Sequence, residues 1–160
     1  MSPTDSLKIT MPTDREIVMT RVFDAPRRLI FDAWTKPQHV PQWLLGPPGW
    51  SMPVCEIDLR PGGAWRFVWR KASGAEMEIS GVYREIQPPE RLVCTEKWGP
   101  EWPETLNTLL FSEEDGRTTL TCTFLYPSKE ARDAAFQTGM KDGASQSYDR
   151  LDEYLARLLA

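Results

Sequence analysis

The feature of this sequence that most constrains its fold is a long series of period-two segments that ends in one amphipathic helix. Alternation of apolar and polar residues is typical of half-buried strands, and breaks rich in Gly, Pro and Asp favour tight turns between them. The pattern therefore predicts a meander of antiparallel hairpins. The six candidate strands are residues 54–59, 63–71, 76–86, 91–98, 105–112 and 118–126.

The segments before this series predict one more strand and two short helices. Residues 1–14 are polar and mixed and predict a flexible tail, and residues 16–24 are rich in β-branched residues and predict the first strand. Helical spacing follows between Pro26 and Pro37 and again over residues 38–45, where Pro41 limits the second helix to one or two turns. A single domain over residues 15–160 accommodates all of these elements.

The residues after the series predict a C-terminal helix. Ser128 is a good N-cap for a first helical stretch over residues 129–136. After Gly139 the apolar residues recur on one side as far as Leu158, which is the pattern of a long amphipathic helix. An antiparallel sheet wrapped on this helix is the simplest arrangement for the whole order of elements.

Composition and charge exclude several classes of protein. The formal net charge is -4, and because no basic run is longer than Arg27-Arg28, nucleic-acid binding is not expected. No apolar run reaches the length of about 18 residues that a membrane span needs, and no secretion signal is recognisable. The cysteines lie far apart without metal-binding spacing, so we expect reduced thiols, a cytoplasmic location and neither a metal ion nor a cofactor.

Four short stretches carry a resemblance to a known superfamily. Together, over nearly all of residues 15–159, they resemble the SRPBCC or START-like proteins, and within them the homologues of the activator of heat-shock protein 90 ATPase. Relatives often have two adjacent tryptophans where this chain has Trp43-Leu44. The matching stretches are RVFDAP leading to AWT (21–35), QW followed by GP (42–47), RPGG with GVYREI and PERLV (60–63, 81–86, 89–93), and GM with G, S and DRL (139–151).

The resemblance implies an α+β helix-grip fold. In that fold a curved seven-stranded antiparallel sheet wraps on a long C-terminal helix, two short helices lie between strands 1 and 2, and a cavity commonly separates sheet from helix. The resemblance leaves three functions open: non-enzymatic binding of a small hydrophobic ligand, modulation of a chaperone, and catalysis of the polyketide cyclase or hydrolase kind. It also makes a homodimer a candidate arrangement.

The strand over residues 64–70 is the most informative candidate for a binding site. Its alternation places Trp65, Phe67 and Trp69 on one face. These rings either fill the core or line a cavity for an apolar ligand, and the pattern leaves both open. Non-enzymatic binding of a small aromatic or lipid-like molecule is the first hypothesis. Its candidate ligand-binding residues are Trp50, Trp65, Phe67, Trp69, Met77, Ile79, Tyr83, Glu96, Trp98, Met140, Gly143 and Ser147.

Three of the remaining polar or aromatic residues have two interpretations each. Glu96 alternates with Trp98, so it either points into the interior with a perturbed pKa or lies exposed at the open end of the sheet. Trp50, in a loop of prolines and glycines, either gates the cavity mouth or plugs it. His39, the only histidine, fits a surface or capping role, because no triad or metal site can be assembled around it.

Overall fold

An eight-stranded antiparallel sheet dominates the fold, which a computed structural model describes for residues 7–160. The strands are β1 (Lys8–Thr10), β2 (Glu16–Phe23), β3 (Trp50–Ile57), β4 (Ala64–Lys71), β5 (Glu76–Gln87), β6 (Arg91–Glu96), β7 (Thr105–Glu114) and β8 (Arg117–Leu125). The helices are α1 (Arg27–Thr35), α2 (Lys129–Phe136) and α3 (Met140–Leu159), together with a 3₁₀ turn (Val40–Gln42).

The order of the strands confirms the predicted meander. It runs β1-β2-β8-β7-β6-β5-β4-β3, so β3 to β8 are joined by successive hairpins and β2 pairs with the last of them. The tightest hairpin joins β7 to β8, where Asp115 and Gly116 both have positive φ between the paired residues Glu114 and Arg117. Two central residues of that kind fit the twist of the flanking strands.

Two predictions about the first third of the chain are wrong in part. The predicted tail over residues 1–14 contains β1, in which Ile9 pairs with Met19 of β2 and packs on the core, so the sheet has eight strands rather than seven. Residues 1–6 lie outside the described part of the chain. The predicted helix over residues 38–45 forms only the 3₁₀ turn, with Pro41 at its start.

The C-terminal half of the fold follows the predicted pattern closely. Ser128 caps α2 by accepting a hydrogen bond from the backbone N–H of Ala131 at 3.0 Å. Gly139, in the left-handed region, precedes α3. None of the described helices combines the length and the apolar character that crossing a bilayer requires.

Helix α3 is held against the concave face of the sheet by buried apolar side chains and by the ion pairs of one arginine with Asp149 and Asp152. The ring of Tyr148 packs edge-on against Phe23 of β2, with centroids 6.0 Å apart, and its hydroxyl lies 3.6 Å from the sulfur of Cys122 on β8. The buried guanidinium of Arg21 reaches Asp149 of the helix at 2.7 Å. The sheet is therefore tied to α3 by apolar and charged contacts together, as the helix-grip arrangement requires.

Candidate functional site

A row of three aromatic rings runs along the inner face of β4. Trp65, Phe67 and Trp69 are all buried, and neighbouring centroids are 4.9 Å and 6.2 Å apart. This confirms the prediction that alternation turns the three rings to one inward face. Because the rings pack on one another, most of their surface serves the core.

The last ring of the row, the buried Trp69, pairs with an exposed ring at the open end of the sheet. The indole N–H of Trp69 donates to the carbonyl oxygen of Leu44 at 2.7 Å, which fixes the ring against the loop that precedes β3. Trp98 stacks on Trp69 with centroids 5.4 Å apart and planes inclined by 7°. Trp98 is 39% exposed and Met77, the β5 partner of Trp69, is 44% exposed. We call Trp69, Met77 and Trp98 the indole rim.

Glu96 is the charged group of this region. It ends β6 half-buried, and one of its carboxylate oxygens accepts a hydrogen bond from the indole N–H of Trp98 at 3.1 Å. Burial raises the pKa of Glu96, while the hydrogen bonds from Asn107 and Trp98 act in the opposite direction. Within residues 7–160 no lysine, arginine or histidine forms an ion pair with it. Of the two placements predicted for Glu96, the inward one with a perturbed pKa agrees better with the structure.

Comparison with known proteins identifies the family. The family described as Activator of Hsp90 ATPase homolog 1-like protein matches residues 24–156. The chain belongs to this family. Comparison with curated proteins gives no match.

Solved structures with the same fold come from several bacteria. A protein from Rhodobacter sphaeroides is 31% identical with a TM-score of 0.91, over 96% of this chain and 99% of that one. A protein from Mycobacterium smegmatis is 23% identical with a TM-score of 0.84, over 94% and 97%. An AHSA1-like protein from Aeromonas hydrophila is 18% identical with a TM-score of 0.71, over 87% and 93%. At the level of the family, this fold supports a ligand-binding or interaction module.

Two buried polar residues of this family member were missed by the sequence analysis. Thr105 and Asn107 lie on β7 opposite Glu96 and Cys94 of β6. The hydroxyl of Thr105 donates to the side-chain oxygen of Asn107 at 2.9 Å, which leaves the amide of Asn107 to donate to Glu96. The signal was available, because alternation puts both residues on the inward face with Leu109. Polar side chains on such a face need partners.

Two of the other predicted site residues lie deeper in the core. Ile79 and Tyr83 are buried on the inner face of β5. Burial raises the pKa of Tyr83, with the neighbouring thiols of Cys94 and Cys55 adding to the effect, so its hydroxyl stays protonated at neutral pH. A buried hydroxyl that stays protonated is better suited to packing in the core than to acting as a general base.

The predicted residues on α3 serve the loop before β3 rather than the indole rim. Ser147 is buried and accepts a hydrogen bond from the backbone N–H of Gly46 at 2.8 Å. Gly143 faces the same loop, since a Cβ there would lie 3.8 Å from the ring of Pro47. Met140, at the start of the helix, packs half-buried against the core.

Trp50 and His39 are each held by local contacts. Trp50 begins β3, and its ring lies under the ammonium group of Lys71, 5.0 Å from the ring centroid. It is therefore a strand residue beside its cross-strand neighbour rather than a loop residue, and its role as gate or plug stays a prediction. The Nδ1 atom of His39 lies 2.6 Å from the hydroxyl of Tyr154 on α3, which agrees with a structural role.

Two clefts of the described residues contain no residue of the indole rim. The first, about 390 Å³, lies at β4 and β5, and Trp65 of the aromatic row lines it together with Arg66 and Lys97. The second, about 450 Å³, surrounds Asp14 and Leu125. Neither includes Phe67, Trp69 or Trp98, so neither corresponds to the predicted cavity. Among residues 7–160 no group of three or more His, Cys, Asp or Glu side chains is placed to hold a metal ion.

Proposed function

We propose that this protein binds a small apolar molecule at the indole rim without transforming it. The observation that carries the proposal is the exposure of Trp98 and Met77 beside a buried aromatic row. Large apolar side chains that remain accessible together at one place mark interaction sites. Because Trp69 is fixed by Leu44, the surface offered by Trp98 is preorganised for a flat ring.

The position of the indole rim supports a small ligand rather than an extended surface. The rim continues directly into the buried rings of Phe67 and Trp65, so a ligand that packs on Trp98 meets the inner face of the sheet at its edge. Glu96 and Asn107 lie at the same edge and supply the few polar groups that orient a ligand in such sites.

Isothermal titration calorimetry with 1-naphthylmethanol tests this proposal. The neutral bicyclic alcohol should bind saturably to the wild-type protein. Replacement of Trp98 by Leu should weaken binding by about fivefold or more, since truncation of a central Trp commonly costs over 1 kcal/mol. Trp50→Leu is the matched control, because Trp50 is a half-buried tryptophan of β3 whose ring contacts the ammonium group of Lys71 and which forms no ring pair with Trp69 or Trp98.

The outcome that would contradict the proposal is an absence of saturable heat, or equal affinities in the wild type and in Trp98→Leu. Because Trp98 is exposed by more than a third, its replacement should leave the fold intact. Thermal unfolding of the variant, followed by circular dichroism, checks that this is so.

The name of the family favours a second candidate function, which is binding to a chaperone of the Hsp90 class. Purified protein would then be retained on an immobilised bacterial chaperone of that class and would change its rate of ATP hydrolysis. Failure of both measurements would remove this candidate. The cytoplasmic location and the homodimer stay predictions alongside it.

A further inference from the structure

Glu96 gives the indole rim a chemical preference that its apolar surface alone does not have. Its carboxylate is half-buried, is bonded by two neutral N–H groups and has no cationic partner within the described residues. A carboxylate withdrawn from water is normally paired with a positive charge. Among the described residues, no side chain supplies that positive charge to Glu96.

We infer that the ligand of the indole rim is an organic cation, with an apolar body on Trp98 and an ammonium group bonded to Glu96. This inference rests on the proposed function and adds the class of ligand to it. The amine supplies the positive charge that the protein leaves out.

The hydrogen bonds of Glu96 leave room for such a partner. An ionised carboxylate has about four acceptor positions, and the N–H groups of Trp98 and Asn107 use two of them. The side-chain oxygen of Asn107 is engaged by Thr105, so the amide is turned with its N–H side available to Glu96. This arrangement fixes the carboxylate in place before any ligand binds, which lowers the entropic cost of binding.

The aromatic neighbour of Glu96 positions the apolar body of the ligand. The indole nitrogen of Trp98 is 3.1 Å from the carboxylate oxygen, so a group bonded to that oxygen is next to the N–H edge of the Trp98 ring. Trp69 covers one face of that ring, and the other face is left for an apolar group. The positive charge of the ligand is therefore selected by Glu96, and its apolar body by Trp98.

The other titratable groups near Glu96 do not compensate its charge. The groups whose pKa values its charge helps to raise are the thiols of Cys94 and Cys122 and the phenols of Tyr126 and Tyr148. Burial is the largest cause of those raised pKa values, so all four groups are neutral at neutral pH. An anionic ligand would place a second negative charge beside Glu96 with nothing to offset it.

Three ligands that share one ring system and differ in head-group charge test the inference. These are 1-naphthylmethylammonium, 1-naphthylmethanol and 1-naphthylacetate, measured by isothermal titration calorimetry at neutral pH. The cation should bind about tenfold tighter than the alcohol, as a charge-assisted hydrogen bond predicts, and the acetate should bind more weakly than both. Glu96→Gln should remove the advantage of the cation, so that the affinities of this variant for the cation and for the alcohol differ by less than about twofold.

Glu101→Gln is the matched control. Glu101 is an exposed glutamate in the loop after β6, so its replacement removes the same charge near the site without touching the carboxylate of Glu96. The cation should keep its advantage in this variant.

The outcomes separate the inference from the proposed function. Equal binding of cation and alcohol by the wild type would overturn the inference and leave the proposed function standing. Binding of none of the three ligands would overturn both. If Glu96→Gln does not fold, the wild-type series alone still decides, because head-group charge is varied in the ligand.

Discussion

A single added methyl group at Gly81 should destabilise this protein more than its size suggests. A Cβ built on Gly81 would lie 1.8 Å from the carbonyl oxygen of Thr95 on the neighbouring strand and 2.8 Å from the indole nitrogen of Trp65. Ordinary contacts begin at 3.4 Å, so the oxygen is about 1.6 Å too close. Because that atom belongs to backbone, no side-chain rotation relieves the overlap.

The expected loss of unfolding free energy depends on which atoms the new methyl group displaces. Overpacking of a core by added carbon atoms costs about 1–3 kcal/mol when side chains share the adjustment. Here the backbone of β6 has to separate from β5, where the N–H of Val82 also donates to the hydroxyl of Thr95 at 2.9 Å. We therefore expect Gly81→Ala to lower the free energy of unfolding by about 3 kcal/mol, at the upper end of that range.

Gly143→Ala is the matched control for this substitution. In α3 the new methyl group would meet only the Pro47 ring, at an ordinary 3.8 Å. Alanine is the better helix former, so this variant should be more stable by about 0.5–1 kcal/mol. Urea unfolding followed by tryptophan fluorescence measures both variants, and the difference in midpoint should arise without a change in slope.

A Gly81→Ala variant within about 0.5 kcal/mol of the wild type would refute the reasoning, since surface substitutions typically fall in that range. A shift of the same sign and size in both variants would refute it as well. Either result would mean that β6 yields to the new methyl group at little cost.

Three further predictions follow from contacts and pKa shifts described above. Ser147→Ala should lower the free energy of unfolding by about 1–2 kcal/mol in urea, because the N–H of Gly46 loses its acceptor, and no change would show that water replaces it. Since burial raises the pKa of Glu96 in the folded protein, acidification from neutral pH toward the unfolded-state value of about 4.3 should stabilise the wild type relative to Glu96→Gln. The urea midpoints of both proteins at two pH values measure this difference, and parallel pH profiles would contradict it. Burial raises the pKa of Cys55 to about 11 and that of Cys122 to about 12, so both thiols should react slowly with a disulfide reagent until the protein is unfolded, and Cys55 should react first. Fast labelling of Cys122 in the native protein would contradict that order.

The regular elements were predictable because their signals are local. Alternation and turn residues gave the six hairpin strands to within a few residues, and the cap at Ser128 gave the start of α2. Strand β1 was missed although Leu7, Ile9 and Met11 alternate with Lys8 and Thr10, because so short a stretch, ended by Pro12, stands in an otherwise polar segment. A strand of three residues is recognised only by the partner it pairs with.

The candidate site was predictable in part for a different reason. Alternation assigns a residue to one face of the sheet, so Trp65, Phe67 and Trp69 were correctly turned inward. It does not say how far along the strand the burial ends, and the exposure of Trp98 was therefore not foreseen. The contact between Trp69 and Leu44 joins positions that only the folded chain brings together.

The short strand β1 protects the protein against aggregation through the edge of its sheet. β2 pairs with β8 over its whole length, and β1 covers part of its opposite margin. On the far margin of the sheet, β3 carries Pro53 within an irregular stretch, and both features discourage docking of a foreign strand. Deletion of the chain through Thr10 would uncover the residues of β2 that β1 pairs with, Val18 to Thr20, and so expose the whole margin of the strand as a template for intermolecular pairing. Such a shortened protein should form oligomers or fibrillar precipitates during refolding at high concentration.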